Sequence, residues 1–167
     1  MTNDNTQEYA EGNNLARHLT GRAKLSVARA RLQNALDRED ALEAIREVVT
    51  NLIGSEELAI FKADKQKAAL WFYWSSGIDA EKYPYLDAIR EPLLEELFAG
   101  KSLFKGDHGR DKLISLPDPV SALVPIKIDQ TVAGVLVIFR LSSQKNRLEP
   151  EDRKMCEAIS TYGGQAL

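Results

Sequence analysis

The strongest hydrophobic signal in this chain is the stretch Ser121–Leu141, which reads SALVPIKIDQTVAGVLVIFRL. Apolar residues lie on both sides of the polar pair Asp129–Gln130, and this pattern predicts two β-strands joined by a tight turn. With a two-residue turn, Ile128 pairs with Thr131. A four-residue loop would leave the division of side chains between the two faces unchanged.

This register also pairs Ile126 with Ala133 and Val124 with Val135, and it divides the hairpin into two faces. One face carries Ala122, Val124, Ile126, Ala133, Val135, Val137 and Phe139. The other carries Leu123, Pro125, Lys127, Val132, Gly134, Leu136 and Ile138. Both faces are mostly apolar, whereas an antiparallel sheet with one face in water alternates apolar and polar residues. We therefore expect helices on one side of the sheet and loops that could wall a cavity on the other.

Leucines at three- and four-residue spacing predict an N-terminal helix over residues 14–36. Residues 1–13 are rich in Asn, Thr and acids, and they are predicted to form a disordered tail because they have little to bury. The polar positions of the helix are largely basic, which fits either a solvated face or an arm that binds nucleic acid. We favour the solvated face and expect no nucleic-acid partner, because no aromatic or amide side chains are interleaved with the arginines. The apolar stripe would then join two copies of the chain through Leu15, Leu19, Leu25, Leu32 and Leu36.

Two further helices are predicted by the same periodicity. The first covers Ala41–Ile53, with Asp40 and Glu43 spaced as a capping box and Gly54 as its stop. The last helix begins at Pro150, a residue that is favoured in the first turn.

Two more strands are predicted between these helices, at Leu58–Ala63 and Ala69–Ser75. Strand alternation divides the aromatic residues of the second strand between its faces: Trp71 with Tyr73, and Phe72 with Trp74. The segment from residue 77 to residue 109 is the least regular part of the chain. Within it we expect a short helix at Pro92–Ala99 and a short strand at Leu103–Phe104.

Composition and charge narrow the class of protein. The chain has 167 residues, 44% of them hydrophobic, and a net charge of −3, which suits one domain with a sizeable core. Its single cysteine, Cys156, permits neither an internal disulfide nor a cysteine metal cluster, and this fits a reducing compartment. No signal-peptide pattern and no apolar run of membrane-spanning length is present in the sequence. We expect a cytoplasmic protein without membrane insertion.

Three stretches resemble GAF domains. They are DALEAIREVVTNLIGSEELAIFKAD, a helix leading into a strand; SALVPIKIDQTVAGVLVIFRL, a hairpin ending in an apolar run after Gly-Val-Leu; and LEPEDRKMCEAISTYGGQAL, a closing helix after Pro-Glu-Asp. Together they cover residues 37–167. The resemblance implies an α+β fold, in which a central antiparallel sheet carries the terminal helices on one face and loops with a short helix on the other.

The resemblance also implies a role. GAF domains are sensory and regulatory modules, and different members bind cyclic nucleotides, tetrapyrroles, haem, amino acids or 2-oxo acids, while many have no known ligand. They often dimerise through their terminal helices. On the topology of the family, the pocket would be lined by Tyr73, Trp74, Tyr83, Tyr85, Leu94, Phe98, His108 and Val124. A filled core has the same composition as such a pocket, so both interpretations stay open at this stage.

No catalytic or metal-binding pattern accompanies the resemblance. Cys156 lies on the apolar stripe of the last helix, where a thiol is usually a small core residue. The free methionine sulfoxide reductase branch of the family uses several pocket cysteines, which this chain lacks. His108 has only Asp107 and Asp111 beside it, a poor set of metal ligands. We therefore expect no cofactor, no metal and no enzymatic activity.

The sequence favours a dimeric regulatory module that senses a small molecule or binds a separate output protein, and that acts in trans. The alternative is a ligand-free scaffold whose pocket is filled by its own side chains.

Overall fold

Six strands form one antiparallel sheet in the order β3-β2-β1-β6-β5-β4. The computed structural model describes residues 20–83, 85–87 and 91–167. The strands are β1 Leu58–Asp64, β2 Ala69–Ser76, β3 Tyr85–Asp87, β4 Leu103–Phe104, β5 Ala122–Ile128 and β6 Thr131–Ile138. The helices are α1 Gly21–Gln33, α2 Arg38–Glu47, α3 Leu94–Phe98 and α4 Pro150–Tyr162. The predicted tail, residues 1–13, and the predicted start of the first helix, residues 14–19, lie outside the described residues.

The sheet is buried on both faces, as the sequence predicts. On one face α1, α2 and α4 pack over Ile60, Val124 and Leu136. On the other face α3 and the loops around it pack over Phe61 and Val135. We call these two faces the helix side and the insertion side, where the insertion is the irregular segment from residue 77 to residue 109. The architecture is α+β, with the terminal helices on one face and a short helix with loops on the other.

A bulge in the central hairpin changes the predicted register. The two-residue turn and the Ile128–Thr131 pair are confirmed, but Ala133 has no partner, and Ile126 pairs with Gly134. The predicted pairing of Val124 with Val135 is wrong, because the extra residue shifts every later pair by one. Val124 faces Leu136 instead, and both lie on the helix side.

A second bulge rearranges the aromatic residues of β2. Ile60 pairs with Trp74 and Phe61 pairs with Phe72, so Tyr73 is the extra residue. Tyr73 and Trp74 both pack on the helix side, while Phe72 packs on the insertion side. The predicted separation of Tyr73 from Trp74 is therefore wrong, because strict alternation ends at a bulge.

The residue that caps the start of α2 differs from the predicted one, whereas the predicted glycine stop at its end is present. Asp37 caps the helix by accepting a hydrogen bond from the backbone N–H of Asp40 at 2.8 Å. Asp40 instead accepts hydrogen bonds from Arg31 and from the backbone N–H of Leu36, which ties the end of α1 to the start of α2. A wider helical turn, Val48–Ile53, follows α2 and ends at Gly54, whose φ of 104° fits a glycine stop.

A buried ion pair secures the start of α4. Lys145 Nζ lies 2.5 Å from a carboxylate oxygen of Asp152, whose side chain is 4% exposed. The same ammonium group donates to the carbonyl oxygen of Ile53 at 2.5 Å. Asp152 also accepts the backbone N–H of Glu149 at 2.7 Å, which completes a capping box. One lysine thus connects the loop before α4, the helix itself and the turn that follows α2.

Strand β3 was not predicted from the sequence. It has only three residues and follows a Tyr-Pro-Tyr segment that reads as a loop. Its register, with Trp71 opposite Tyr85, places it at the edge of the sheet beside β2. The predicted short helix and strand of this region are both present, with α3 shorter than the predicted Pro92–Ala99.

Candidate functional site

The structure does not gather the eight predicted pocket residues in one place. Tyr83 and Leu94 are buried on the insertion side, and Phe98 packs against the same cluster. Tyr73, Trp74 and Val124 lie on the helix side, so they cannot share a pocket with the first three. The bulges in β2 and β6 are the physical reason, since they reverse the faces that regular alternation predicts.

The two remaining candidates lie at the surface. His108 is exposed in the turn Asp107–Gly109, where its φ is 56°. Tyr85 is 37% exposed at the sheet edge, where its ring lies 4.7 Å from the ring of Trp71. Neither residue joins the buried insertion-side group.

Side chains of the chain itself fill the insertion side. Leu94 and Leu97 of α3 are fully buried against the sheet, as are Phe61 and Phe139. The ring of Tyr83 lies on this layer, 5.4 Å from the ring of Phe139. Among the described residues, the place where the resemblance implies a pocket is therefore occupied by a packed apolar cluster.

Tyr83 also forms the hydrogen bonds that anchor this cluster. Its hydroxyl donates to the carboxylate of Asp118 and accepts the backbone N–H of the same residue at 3.0 Å. Burial and the neighbouring carboxylate raise the pKa of Tyr83 above its ordinary value, so the hydroxyl stays protonated as a donor. The insertion is thereby tied to the loop that leads into β5. The sequence analysis did not identify Asp118, because the two residues are far apart in the chain.

Grooves open on the surface of the described part of the protein. One has a volume of about 580 Å³ and lies between α1 and the start of α4. Three more, with volumes of about 320, 290 and 220 Å³, surround the loops between β4 and β5. Of the eight predicted pocket residues, only His108 lines any of them.

An ion pair at these smaller grooves joins the loop after β4 to α4. The guanidinium of Arg153 makes two hydrogen bonds of 2.7 Å to the carboxylate of Asp107, and it lies 4.5 Å from the centre of the Phe104 ring. The hydrogen bonds from Arg153 lower the pKa of Asp107. This pair fixes the turn that carries His108. Sequence reasoning missed it, because the two residues are 46 positions apart.

The predicted dimer-interface residues have several different environments. Leu15 and Leu19 lie outside the described residues. Leu32 is buried within the chain's own helix side, so it cannot take part in an interface in this structure. Leu25 is half-buried against the same cluster and also lines the groove between α1 and α4, so its place in an interface stays a prediction. Leu36 lies beyond the end of α1 and is 86% exposed.

Reactive and metal-binding groups do not converge anywhere in the described residues. No group of three or more His, Cys, Asp or Glu side chains there could hold a metal ion. Cys156 is buried, and burial raises the pKa of its thiol, which leaves it protonated and unreactive. Across the described ranges, no helix has both the length and the apolar character that crossing a membrane requires.

Comparison with solved structures identifies the fold. The GAF domain of a phosphoenolpyruvate-protein phosphotransferase from Coxiella burnetii superimposes with a TM-score of 0.64 at 13% identity, over 84% of this chain and 88% of that one. A GAF domain/HD domain protein from Geobacter sulfurreducens gives a TM-score of 0.58 at 16% identity, over 81% and 95%. Free methionine-R-sulfoxide reductase from Neisseria meningitidis gives 0.60 at 13% identity, over 87% and 89%.

Sequence comparisons add nothing to this result. No family model matches the chain, and no curated protein matches it either. The architecture is an α+β sandwich of helices, sheet and insertion. It is the fold of GAF domains, which confirms the resemblance seen in the sequence.

Proposed function

We propose that this chain is a non-catalytic regulatory module that acts through protein–protein contacts. The observation that carries the proposal is the packed insertion side, where Tyr83, Leu94, Leu97 and Phe139 occupy the space in which a GAF-type sensor would hold a ligand. A module filled in this way changes its state when a partner binds, and a partner can shift that state only by its different affinities for two conformations. Several structural neighbours are GAF domains of larger proteins, which supports a regulatory role.

The proposal sets this chain apart from its enzymatic neighbour. The reductase branch of the family relies on pocket cysteines, whereas Cys156 is buried in α4 away from the insertion side. His108 is exposed, and the buried carboxylate of Asp152 is held by Lys145. The half-buried carboxylate of Asp118 accepts the hydroxyl of Tyr83. These groups have structural partners rather than the arrangement of a nucleophile beside a base.

We expect that no common small ligand of GAF domains raises the melting temperature of the protein. The panel contains cyclic nucleotides, amino acids, 2-oxo acids, haem and a linear tetrapyrrole, each measured by thermal shift over a range of concentrations. A ligand present at 100 times its dissociation constant would stabilise the fold by about 2.7 kcal/mol, which such an assay readily detects. A saturable rise with any compound of the panel would contradict the filled interior and restore the sensor hypothesis.

We further propose that two copies of the chain join at the groove between α1 and α4. The exposed side of α1 presents the small residues Ser26 and Ala30 there, and small side chains allow a second helix to approach closely. Arg29 of α1 lines the same groove together with Glu151 and Lys154 of α4, which offers the second copy charges of both signs. Of the leucines predicted for the interface, Leu25 also lines this groove, whereas Leu32 is buried beneath it. Output would then pass to a separate protein.

The dimer proposal predicts that Ala30→Arg converts the protein from dimer to monomer. Ala30 is exposed, so a long charged side chain should block the approach of a second helix without disturbing the core. Size-exclusion chromatography with light scattering measures the change in mass. The matched control is Ala99→Arg, an exposed alanine at the end of α3, which should leave the mass unchanged. A monomeric unsubstituted protein, or a dimer that tolerates Ala30→Arg, would exclude this interface.

A truncation of residues 1–36 cannot test the interface. Ala28 and Leu32 of α1 belong to the buried cluster on the helix side, so the truncated chain would lose part of its core. Substitutions at exposed positions avoid this difficulty.

A further inference from the structure

None of the described helices covers one corner of the sheet on the helix side. The end of β1 and the adjoining parts of β2 and β3 carry Lys62, Trp71 and Tyr85 on the face that elsewhere lies beneath the helices. Trp71 is 46% exposed and Tyr85 is 37% exposed. Their neighbours on the insertion side, Leu70 and Leu86, pack into the core. The exposure is thus confined to one face of the corner.

We call this surface the edge patch and define it by five residues: Arg38, Lys62, Trp71, Tyr73 and Tyr85. The two exposed rings lie 4.7 Å apart at a tilt of 58°, so each restricts the motion of the other. Tryptophan and tyrosine held in this way are the side chains that most often anchor protein–protein contacts, because they bury a large area for little loss of side-chain entropy.

The polar part of the edge patch is cationic. Lys62 Nζ lies 4.4 Å from the centre of the Tyr73 ring, and the guanidinium carbon of Arg38 lies 5.9 Å from the same centre. Neither cation has a carboxylate within ion-pair distance among the residues that the structure describes. Both cationic side chains are exposed and lie at the Tyr73 end of the patch, whereas Asp64 and Asp87 flank Ala69 two residues further along the same face, beyond Trp71 and Tyr85.

The position of the edge patch suits an extended peptide. Within the described part of the chain, β3 is the terminal strand of the sheet and pairs with no strand on its outer side, while the carbonyl oxygen of Asp87 accepts the backbone N–H of Glu91 at 3.0 Å. A terminal strand can accept a further strand from a partner, and side-chain contacts beside it then supply specificity. Trp71 and Tyr85 pack against each other rather than presenting two open, parallel faces, which favours an apolar side chain over stacked nucleobases.

We propose that the edge patch binds an extended acidic peptide segment of the output protein. Carboxylates of the segment would pair with Lys62 and Arg38, and an aromatic or large aliphatic side chain between them would cover Trp71 and Tyr85. This inference rests on the proposed function, since it assigns a surface and a chemistry to the partner through which the module acts.

A random peptide library displayed on phage and selected against the full-length protein tests the proposal. We expect the enriched sequences to combine several acids with an aromatic or large aliphatic residue. One such peptide, labelled with fluorescein, is then measured by fluorescence anisotropy. Lys62→Glu and Trp71→Ala should each weaken its binding by about tenfold or more, and added salt should weaken it further, because the charges at the patch are exposed.

Matched controls are chosen on other surfaces. Ile128→Ala removes an exposed apolar side chain at the β5–β6 turn, and Lys112→Glu reverses an exposed charge in the loop before β5. Both should leave the affinity unchanged. Far-ultraviolet circular dichroism and the unfolding midpoint of each variant exclude misfolding as the cause of lost binding, and because Trp71 and Lys62 are exposed, we expect both variants to fold.

Four results would overturn the proposal, three of them from the peptide measurements. One is the absence of any enriched peptide, another is enrichment of basic or charge-free sequences, and the third is binding that tolerates both Lys62→Glu and Trp71→Ala. Binding of a labelled single-stranded oligonucleotide that depends on Trp71, with no peptide binding, would also overturn it. The dimer mass and the ligand panel are measured on the same protein samples. If they behave as predicted while the peptides fail, the edge patch is refuted and the proposed function stands.

Discussion

Leu136→Ala and Leu123→Ala are each expected to lower the free energy of unfolding by about 2–5 kcal/mol. The two leucines lie on neighbouring strands but on opposite faces of the sheet, Leu136 on the helix side and Leu123 on the insertion side. Both are fully buried. Each replacement removes buried apolar area and leaves a cavity, so two effects of similar size on opposite faces are the signature of a sheet packed on both sides.

Chemical denaturation of the two variants measures these losses, and Ile128→Ala in the same hairpin is the matched control. Ile128 is 44% exposed and should account for less than about 1 kcal/mol. If Leu123→Ala were as mild as Ile128→Ala while Leu136→Ala remained severe, the insertion side would be loosely packed or open. That outcome would contradict the filled interior.

Lys145→Met is expected to destabilise the protein by about 3 kcal/mol, because it leaves the carboxylate of Asp152 buried without a cation. Asp152 keeps the backbone N–H of Glu149 as a donor, but its side chain is almost fully enclosed. The substitution also removes the hydrogen bond to the carbonyl oxygen of Ile53. Methionine preserves most of the volume of the lysine side chain, so lost packing contributes little.

Denaturation of Lys112→Met supplies the control, since Lys112 is an exposed lysine in the loop before β5. The double variant Lys145→Met/Asp152→Asn should recover part of the lost stability, because the amide keeps an acceptor for the cap and carries no charge. If Lys145→Met behaved like Lys112→Met, the ion pair would be solvated and would not hold the start of α4.

The hairpin shows what the sequence could predict and what it could not. Apolar residues on both faces predicted two-sided coverage, and Val135, Leu136, Val137 and Ile138 are indeed fully buried. The same property concealed the bulge at Ala133. When both faces of a strand are apolar, a one-residue shift leaves the pattern unchanged, so periodicity carries no information about parity.

The predicted pocket residues are divided between the two faces for the same reason and for a second one. Tyr73 and Trp74 are neighbours in an all-aromatic run, where the position of the bulge leaves no mark on the sequence. Tyr83, Leu94 and Phe98 lie together on the insertion side, whose short helix could be recognised in the sequence from its own leucines. The partners that complete the cluster, Asp118 and Phe139, come from distant parts of the chain, and single-sequence reasoning had no signal for those contacts.

The filled insertion side and the exposed groups at the sheet edge have the same consequence for function. A resemblance to a sensor family suggested a cavity, whereas the side chains of the insertion fill that space and are fastened by Tyr83 and Asp118. The exposed aromatic and cationic groups lie on a different face, at the sheet edge. The chemistry that this chain offers to other molecules is therefore at its surface, which favours a partner protein over a small ligand.

The central claim is that the insertion side of the sheet is filled, and electron density from crystals pressurised with xenon tests it most directly, because xenon enters apolar cavities. In the unsubstituted protein we predict no xenon between the sheet and α3. In Leu97→Ala, which opens an apolar space at a buried position of α3, we predict a xenon atom there. Xenon bound between the sheet and α3 of the unsubstituted protein would show a cavity and would contradict the account.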